Sequence, residues 1–343
     1  MTYEGPLFGP ETMNAPWGLK TREKLVALAS RFFNANNISA SHAAIGKALP
    51  NEGNPRPVTA SDFLNYLNVT GAFPKTPNAF RVLALLESMA SHGRLMRAGQ
   101  DMSSIAGLGN YYLYMPTPQA AKRGLFGLVG VLGPEYLFEL CAAVLMHITG
   151  KNEAGDAVAG TGLVVDERHV LTCRHVVADM QIDSVQAIQG RQYAVRSDEI
   201  HAHPNVDVAV MRLDGPPLTP LSGAVFQAPN VAQTVYTLGY PKLPGLRDAS
   251  VTMQPGAVTN AAVTSLAGEQ LFLYSAISRP GNSGGPVMSD DGYVVGLSIV
   301  DATGSYDAGD AFSPHYAGIP GQVIVSAVED LGLGIDLQFE AFE

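Results

Sequence analysis

Three kinds of side chain, far apart in the chain, could together attack a carbonyl group. The run Ser278-Arg279-Pro280-Gly281-Asn282-Ser283-Gly284-Gly285-Pro286-Val287 sets a serine among glycines and prolines, with apolar stretches at 271–277 and 293–300. Such a run reads as a tight loop between two buried strands. The glycines permit unusual backbone angles and close approach of other backbone. A hydroxyl at the loop apex would be exposed, with N–H groups beside it. That is what a serine nucleophile needs: a reachable oxygen, and donors for the oxyanion formed when it attacks. Taken alone, the same run also suits an ordinary Gly-rich turn.

A serine nucleophile needs a base, and the base needs an orienter. Upstream, Gly160-Thr161-Gly162-Leu163-Val164-Val165 reads as a short strand, and Asp166-Glu167-Arg168 as a polar turn. Val170-Leu171-Thr172-Cys173-Arg174-His175-Val176-Val177 then reads as a second strand carrying a histidine. Further on, His203-Pro204-Asn205-Val206-Asp207-Val208-Ala209-Val210 places an aspartate at the start of an apolar strand. A lone histidine or aspartate at a strand end is usually structural. Here the order is His175, Asp207, Ser283.

On these residues the chain resembles the chymotrypsin-like (trypsin-like) serine peptidases, and most closely their bacterial HtrA-like branch. That family shows a G-[ST]-G strand, a T-x-x-H-V-V segment, a D-[IV]-A-[VL] segment and a P-G-N-S-G-G-P loop, and all four stand here in order. Ala317-Gly318-Ile319-Pro320 resembles the end of the same domain, so the likeness covers roughly 134–335. The resemblance implies a serine endopeptidase acting on protein or peptide substrates. Ser283 would be the nucleophile, His175 the base and Asp207 its orienter, and the N–H groups of Gly281 and Ser283 would form the oxyanion hole. It also implies that Ile277 lies at the base of the pocket for the side chain before the cut bond, with Ser298, Val300 and Asp301 on its walls. Ile277 argues for a medium apolar preference, whereas Asp301 would attract a basic side chain. Tyr274-Ser275-Ala276 departs from the Thr-Asp-Ala frequent in HtrA-like chains, and no PDZ-like segment follows.

The elements that must position these residues fall into two parts. The sequence of 343 residues is 46% apolar and 15% charged, which suits two domains with sizeable cores and argues against global disorder. From 134 on, many short strands at near-even spacing predict a mainly β fold, a double six-stranded antiparallel barrel. Six runs begin at 142, 158, 170, 185, 193 and 206. Six more follow at 234–239, 250–258, 271–275, 285–288, 294–300 and 316–319, and a helix over 321–331 closes the domain.

Before the barrels the spacing predicts a small α-helical, winged-helix-like module over 20–115. It follows an extended arm at 1–19 that Trp17 is placed to pin. Leu25, Leu28, Ala29, Phe32 and Phe33 share one helix face. A second helix is expected over 41–49. Thr59-Ala60-Ser61-Asp62 is a capping-box pattern opening a third through 67. Thr76 and Pro77 would open a fourth, with Phe80, Leu83, Leu86 and Ala90 buried. A small hairpin would join 94–97 to 111–115. Residues 116–133 read as a linker, with Lys122-Arg123 as a candidate cleavage site, and 134–343 as the peptidase-like domain.

Charge and cysteines bound the rest. Residues 1–125 carry a net +5 and residues 126–343 a net −15. A basic front half could touch nucleic acid or simply attract the acidic half. The third helix has no Lys or Arg, so a regulatory protein partner for 20–115 is the preferred reading. A catalytically silent peptidase-shaped adaptor and a DNA-binding regulator with a peptidase tail are the rival functions. No basic n-region opens the chain, and 125–148 is too interrupted to span a membrane, so neither a leader nor a membrane partner is expected. Cys141 and Cys173 stand in apolar context and are expected to be buried free thiols, which points to the cytoplasm. His201 and His203 could begin a metal pair but lack a third ligand, so a solvated loop is expected there. His147, His169 and His315 have no partner pattern. No metal and no cofactor is expected.

Overall fold

The computed structural model describes residues 17–48, 56–104, 107–188, 190–220, 223–243, 245–299 and 315–341. The arm up to residue 16 therefore lies outside the described residues. The chain divides into two compact units, Met1–Lys122 with Gly130–Leu132, and Arg123–Val129 with Gly133–Glu343.

In the first unit, α1 (Leu19–Phe32) buries Leu25, Val26, Ala29 and Phe32 on one face, as its spacing requires. α2 (Ile38–Ala44) and the short β1 (Val58–Thr59) follow. α3 (Ala60–Val69) opens on a full capping box: Asp62 N donates to Thr59 Oγ1 at 3.1 Å, and Thr59 N to Asp62 Oδ2 at 3.0 Å. α4 (Ala79–Ser91) starts later than the sequence suggests. Its cap is Asn78, whose side chain accepts from the N–H groups of Phe80 and Arg81, not Thr76. That register leaves Phe80 exposed and buries Val82, Leu83, Leu86 and Met89. β2 (Met96–Gln100) and β3 (Asn110–Leu113) form the expected hairpin, and β1 joins it to give the order β1-β3-β2. Phe32, Phe33, Phe63 and Tyr112 are buried together, with Phe33 and Tyr112 ring centroids 5.5 Å apart. The Arg81 guanidinium lies over the Trp17 ring, 5.8 Å from its centroid.

The stretch read as a linker is partly ordered structure. α5 (Pro118–Lys122) and α6 (Val129–Leu132) are helical, and Arg123 is 5% exposed. Its guanidinium lies 3.4 Å from the Tyr293 ring centroid and donates to the Asp291 carbonyl at 2.6 Å. A protease needs an accessible, extended backbone, so the Lys122-Arg123 pair is not the open cleavage site its sequence suggested.

In the second unit the first element is a helix, not a strand. α7 (Pro134–Ala142) has its proline in the first turn, where the missing N–H costs nothing, and buries Tyr136, Leu137, Leu140 and Cys141. β4 (Leu145–Lys151), β5 (Ala157–Val164) and β6 (His169–Thr172) follow, then the five-residue α8 (Arg174–Ala178). β7 (Gln181–Ile182), β8 (Val185–Ile188), β9 (Arg191–Ala202) and β10 (Ala209–Asp214) complete a seven-stranded antiparallel sheet, ordered β7-β4-β5-β6-β10-β9-β8.

The second strand set closes on itself. β11 (Thr234–Gly239), β12 (Thr252–Thr264), β13 (Gln270–Tyr274), β14 (Pro286–Ser289), β15 (Val294–Ile299) and β16 (Tyr316–Pro320) form a barrel in the order β11-β12-β13-β16-β15-β14. Val235, Val258, Phe272, Tyr274, Val287 and Val295 fill it. α9 (Gly321–Asp330) follows, with Ile324, Val325, Ala327 and Val328 buried. The fold is thus mainly β, preceded in the chain by a helical N-terminal unit. Where a second six-stranded barrel was expected, the first strand set is a seven-stranded sheet, with the extra short strand β7, and only the second set closes into a barrel.

Candidate active site

His175 stands in the first turn of α8, just past β6. Asp207 stands two residues before β10, and β10 pairs with β6 from Ala209–Thr172 to Arg212–His169. That pairing brings the two residues together across neighbouring strands. Asp207 holds His175 twice: Oδ1 accepts from the His175 backbone N–H at 2.8 Å, and Oδ2 lies 2.7 Å from Nδ1. A carboxylate can only accept, so Nδ1 carries the proton and Nε2 is left as the basic nitrogen. Burial is the largest influence on the imidazole and disfavours its charged form. The hydrogen bond and charge of Asp207, with help from Asp179, outweigh burial and the opposing Arg174, and the His175 pKa sits above its usual value.

The loop over Asp207 has supports that the sequence reading missed. His203, read as part of a solvated loop, is only 7% exposed. Its Nδ1 accepts from the N–H groups of Asn205 and Val206 at 3.2 and 2.9 Å, so the ring caps the turn two residues before Asp207. Arg174 donates to the carbonyls of His203 and Pro204 at 3.3 and 2.8 Å, which ties the residue before His175 to the same turn. The available signal was the His-Pro-Asn order, since a histidine before a turn can accept from the N–H groups ahead of it.

Ser283 is 7% exposed and lies in the loop before β14. Its carbonyl accepts from Thr161 N at 2.8 Å, so β5 of the first sheet holds the loop of the second. A Cβ placed on Gly160 would lie 2.6 Å from Val176, the neighbour of His175, and 3.4 Å from the Ser283 carbonyl oxygen. Only a glycine lets these segments meet. Gly281 has φ +99° and no room for a Cβ, which would lie 2.3 Å from the Tyr240 carbonyl oxygen. Among the described residues, the N–H groups of Gly281 and Ser283 donate to no acceptor, whereas those of Asn282, Gly284 and Gly285 are all bonded. Likewise, no hydrogen bond joins the Ser283 hydroxyl to His175.

Of the expected pocket residues, Ile277 and Ser298 are described. Ile277 is 44% exposed. Ser298 is fully buried, its hydroxyl 2.8 Å from both Tyr274 Oη and Ser278 Oγ, so its side chain forms no open wall. Val300 and Asp301 lie outside the described residues.

Cys173, His175 and Asp207 offer ligand atoms within 4.8 Å of one another. All three are already engaged. The Cys173 thiol is fully buried and bonded to the Ser298 carbonyl, and burial, followed by the Asp207 charge, pushes its pKa well up. His175 Nδ1 and Asp207 hold each other.

The family model described as "Trypsin-like peptidase domain" matches residues 160–297. A protein named "Probable periplasmic serine endoprotease DegP-like" from Chlamydia pneumoniae is 31% identical over 160 residues, which cover 46% of this chain and 32% of that protein. Its namesake from Chlamydia muridarum is 31% identical over 155 residues, covering 44% and 30%. The chain thus spans about a third of the length of these curated relatives. A crystal structure of the serine endoprotease from Yersinia pestis is 21% identical, with TM-score 0.44 over 57% of this chain and 65% of that one.

The relatives' names overturn the cytoplasmic location expected from the cysteines, since both are called periplasmic. The physical reason lies in the thiols. Cys141 and Cys173 are free and buried, and burial raises the Cys141 pKa to about 12. A protonated thiol without solvent access stays reduced by burial alone, so it does not report a reducing compartment.

Proposed function

Starting from the match of residues 160–297 to a trypsin-like peptidase domain, we propose that the chain is a serine endopeptidase that hydrolyses protein substrates through His175, Asp207 and Ser283. In this reading the Ser283 hydroxyl attacks the scissile carbonyl as His175 Nε2 takes its proton. The N–H groups of Gly281 and Ser283 receive the oxyanion. His175 then returns the proton to the leaving amine, and water repeats the sequence on the acyl-enzyme. Asp207 keeps Nδ1 protonated, so that Nε2 always faces the reaction as a base, and it stabilises the imidazolium. In this reading the hydroxyl–imidazole bond forms when substrate fills the cleft.

The observation that carries this reading is the double grip of Asp207 on His175. Asp166 grips His169 in the same two ways within one turn, so the Asp207–His175 grip gains its meaning from its place: it joins residues 32 positions apart and sits beside Val176, which Gly160 packs against the Ser283 carbonyl. The two N–H groups without acceptors beside Ser283 add to it.

The test is a serine-reactive phosphonate probe, together with cleavage of a peptide library by wild type and Ser283→Ala. Labelling at Ser283 is expected, with hydrolysis reduced at least about 10⁴-fold in the variant. A chain that is not labelled, or hydrolysis that survives the substitution, would sink the reading and leave the adaptor.

For residues 20–115 we propose a protein partner that regulates or targets the peptidase. The exposed Phe80, Met96, Met102 and Met115 support that choice over nucleic acid, because apolar side chains at a surface favour protein contact.

A further inference from the structure

We propose that Thr161 is a positioning residue: its hydroxyl, presented by the first sheet, clamps the peptide between Gly281 and Asn282 and so keeps the oxyanion-binding N–H groups aimed. The inference rests on the proposed function and concerns the same site.

Thr161 lies on β5 and is fully buried. Its Oγ1 donates to the Gly281 carbonyl at 2.7 Å and accepts from Tyr240 N–H at 3.0 Å. Its backbone N–H donates to the Ser283 carbonyl at 2.8 Å, and its carbonyl accepts from Thr172 Oγ1 at 2.8 Å. One residue therefore grips the loop on both sides of Asn282 and is itself fixed by β6 and by the segment after β11. In the G-[ST]-G pattern the glycines have steric tasks. The hydroxyl has this one.

The direction of each N–H follows from the planarity of the peptide unit. In a trans peptide the C=O and N–H point opposite ways. The Pro280 carbonyl is drawn to Lys242 N–H at 2.8 Å, so Gly281 N–H points to the other side. The Asn282 carbonyl is drawn to Gly285 N–H at 2.9 Å, which turns Ser283 N–H away from it. Between these two lies the Gly281–Asn282 peptide. Its carbonyl is held by Thr161 and its N–H by the Arg279 carbonyl at 2.9 Å. Gly281 at φ +99° costs little to rotate, so this peptide is the soft joint of the loop. Without the Thr161 hydroxyl, the Gly281 carbonyl is buried without its donor and gains by turning to find one. That rotation carries Gly281 N–H and Ser283 N–H off their common target.

Three variants separate positioning from bulk. Thr161→Val keeps the shape and removes the hydroxyl, Thr161→Ser keeps the hydroxyl, and Thr161→Cys keeps the volume with a weak donor. Melting and circular dichroism first establish that each folds. Thr161→Val is expected to lower kcat about 10- to 100-fold with KM within about twofold, while Thr161→Ser recovers most of the rate. Should the valine variant fail to fold, Thr161→Cys is read in its place, with an intermediate loss expected.

A second measurement does not depend on catalysis. Hydrogen exchange in peptides spanning 278–286 is expected to speed up at least about tenfold in Thr161→Val and to match wild type in Thr161→Ser. Unchanged exchange and unchanged kcat in a folded Thr161→Val overturn the clamp. If instead Ser283→Ala keeps full hydrolysis, the proposed function falls, and exchange alone still decides whether the clamp exists.

Discussion

A base that must take a proton from a hydroxyl works only in its neutral form, so whatever favours the imidazolium of His175 narrows the range in which the site can act. Asp207 does this while fixing the tautomer, and together with Asp179 it lifts the His175 pKa above its ordinary 6.5 against the effect of burial. The rate is therefore expected to fall on the acid side with a midpoint above the usual imidazole value. In Asp207→Asn that midpoint should move down and kcat should drop by about 10⁴, since the amide can donate to Nδ1 and fix the wrong tautomer. A kcat/KM profile from pH 4 to 9 checks both, and an acid limb unmoved by the substitution removes Asp207 from its role. Stability follows the same group with the opposite sense. The raised pKa means that the His175–Asp207 pair stabilises the fold fully below the unfolded pKa. That contribution fades as pH rises through the folded value.

At the level of elements, short pieces of regular structure serve as mounts. α8 has five residues, yet it turns His175 out of the β6 line and toward Asp207. Arg123 is a mount of another kind, with its guanidinium stacked on Tyr293, bonded to the Asp291 carbonyl and buried. Burial lowers its pKa, but nearby Tyr293, Asp291 and Glu340 counter that effect. Arg123→Ala is expected to cost about 2–3 kcal/mol, a drop of roughly 5–10 °C in Tm by calorimetry. Arg123→Lys should restore little of it, because an ammonium lacks the planar fork. A Tm unchanged in Arg123→Ala would show that the contact is idle.

These elements also show what could be read in advance. The strands flanking Gly- and Pro-rich turns were legible as short apolar runs bounded by turn residues, and β14 and β15 are buried at every position. Residues 134–142 were not, since a short buried helix and a buried strand leave the same apolar run, and only the register of Tyr136, Leu137 and Leu140 separates them. The α4 start was misjudged because Asn78 and Thr76 are both good caps. His175, Asp207 and Ser283 could be named from motif order. The turn held by His203 was signalled only by its His-Pro-Asn order, because its partners are backbone N–H groups that every residue carries.

Over the whole molecule, charge is distributed unevenly, with +5 in residues 1–125 and −15 beyond. A basic segment invites the thought of nucleic acid, but counterion release needs several cations along one face. α3 carries no Lys or Arg, and Arg97 on β2 is paired with Glu87. The full chain is therefore expected to show no binding to a duplex of about 25 base pairs at about 50 mM salt, measured by fluorescence anisotropy. Salt-sensitive binding under those conditions would return the DNA-binding reading for the first unit.

The clamp at Thr161 crosses 120 positions of sequence, and the barrel that carries Ser283 is shut by β16, which pairs with β13 and β15. A ribosome making about 5–20 residues per second delivers Thr161, His175 and Asp207 long before it delivers the glycine they await, with a delay on the order of ten seconds. Through that interval the nascent chain carries His175 and Asp207 but not yet Ser283. Under the proposed function, peptide-cutting capacity would then arrive only once β16 has closed the barrel.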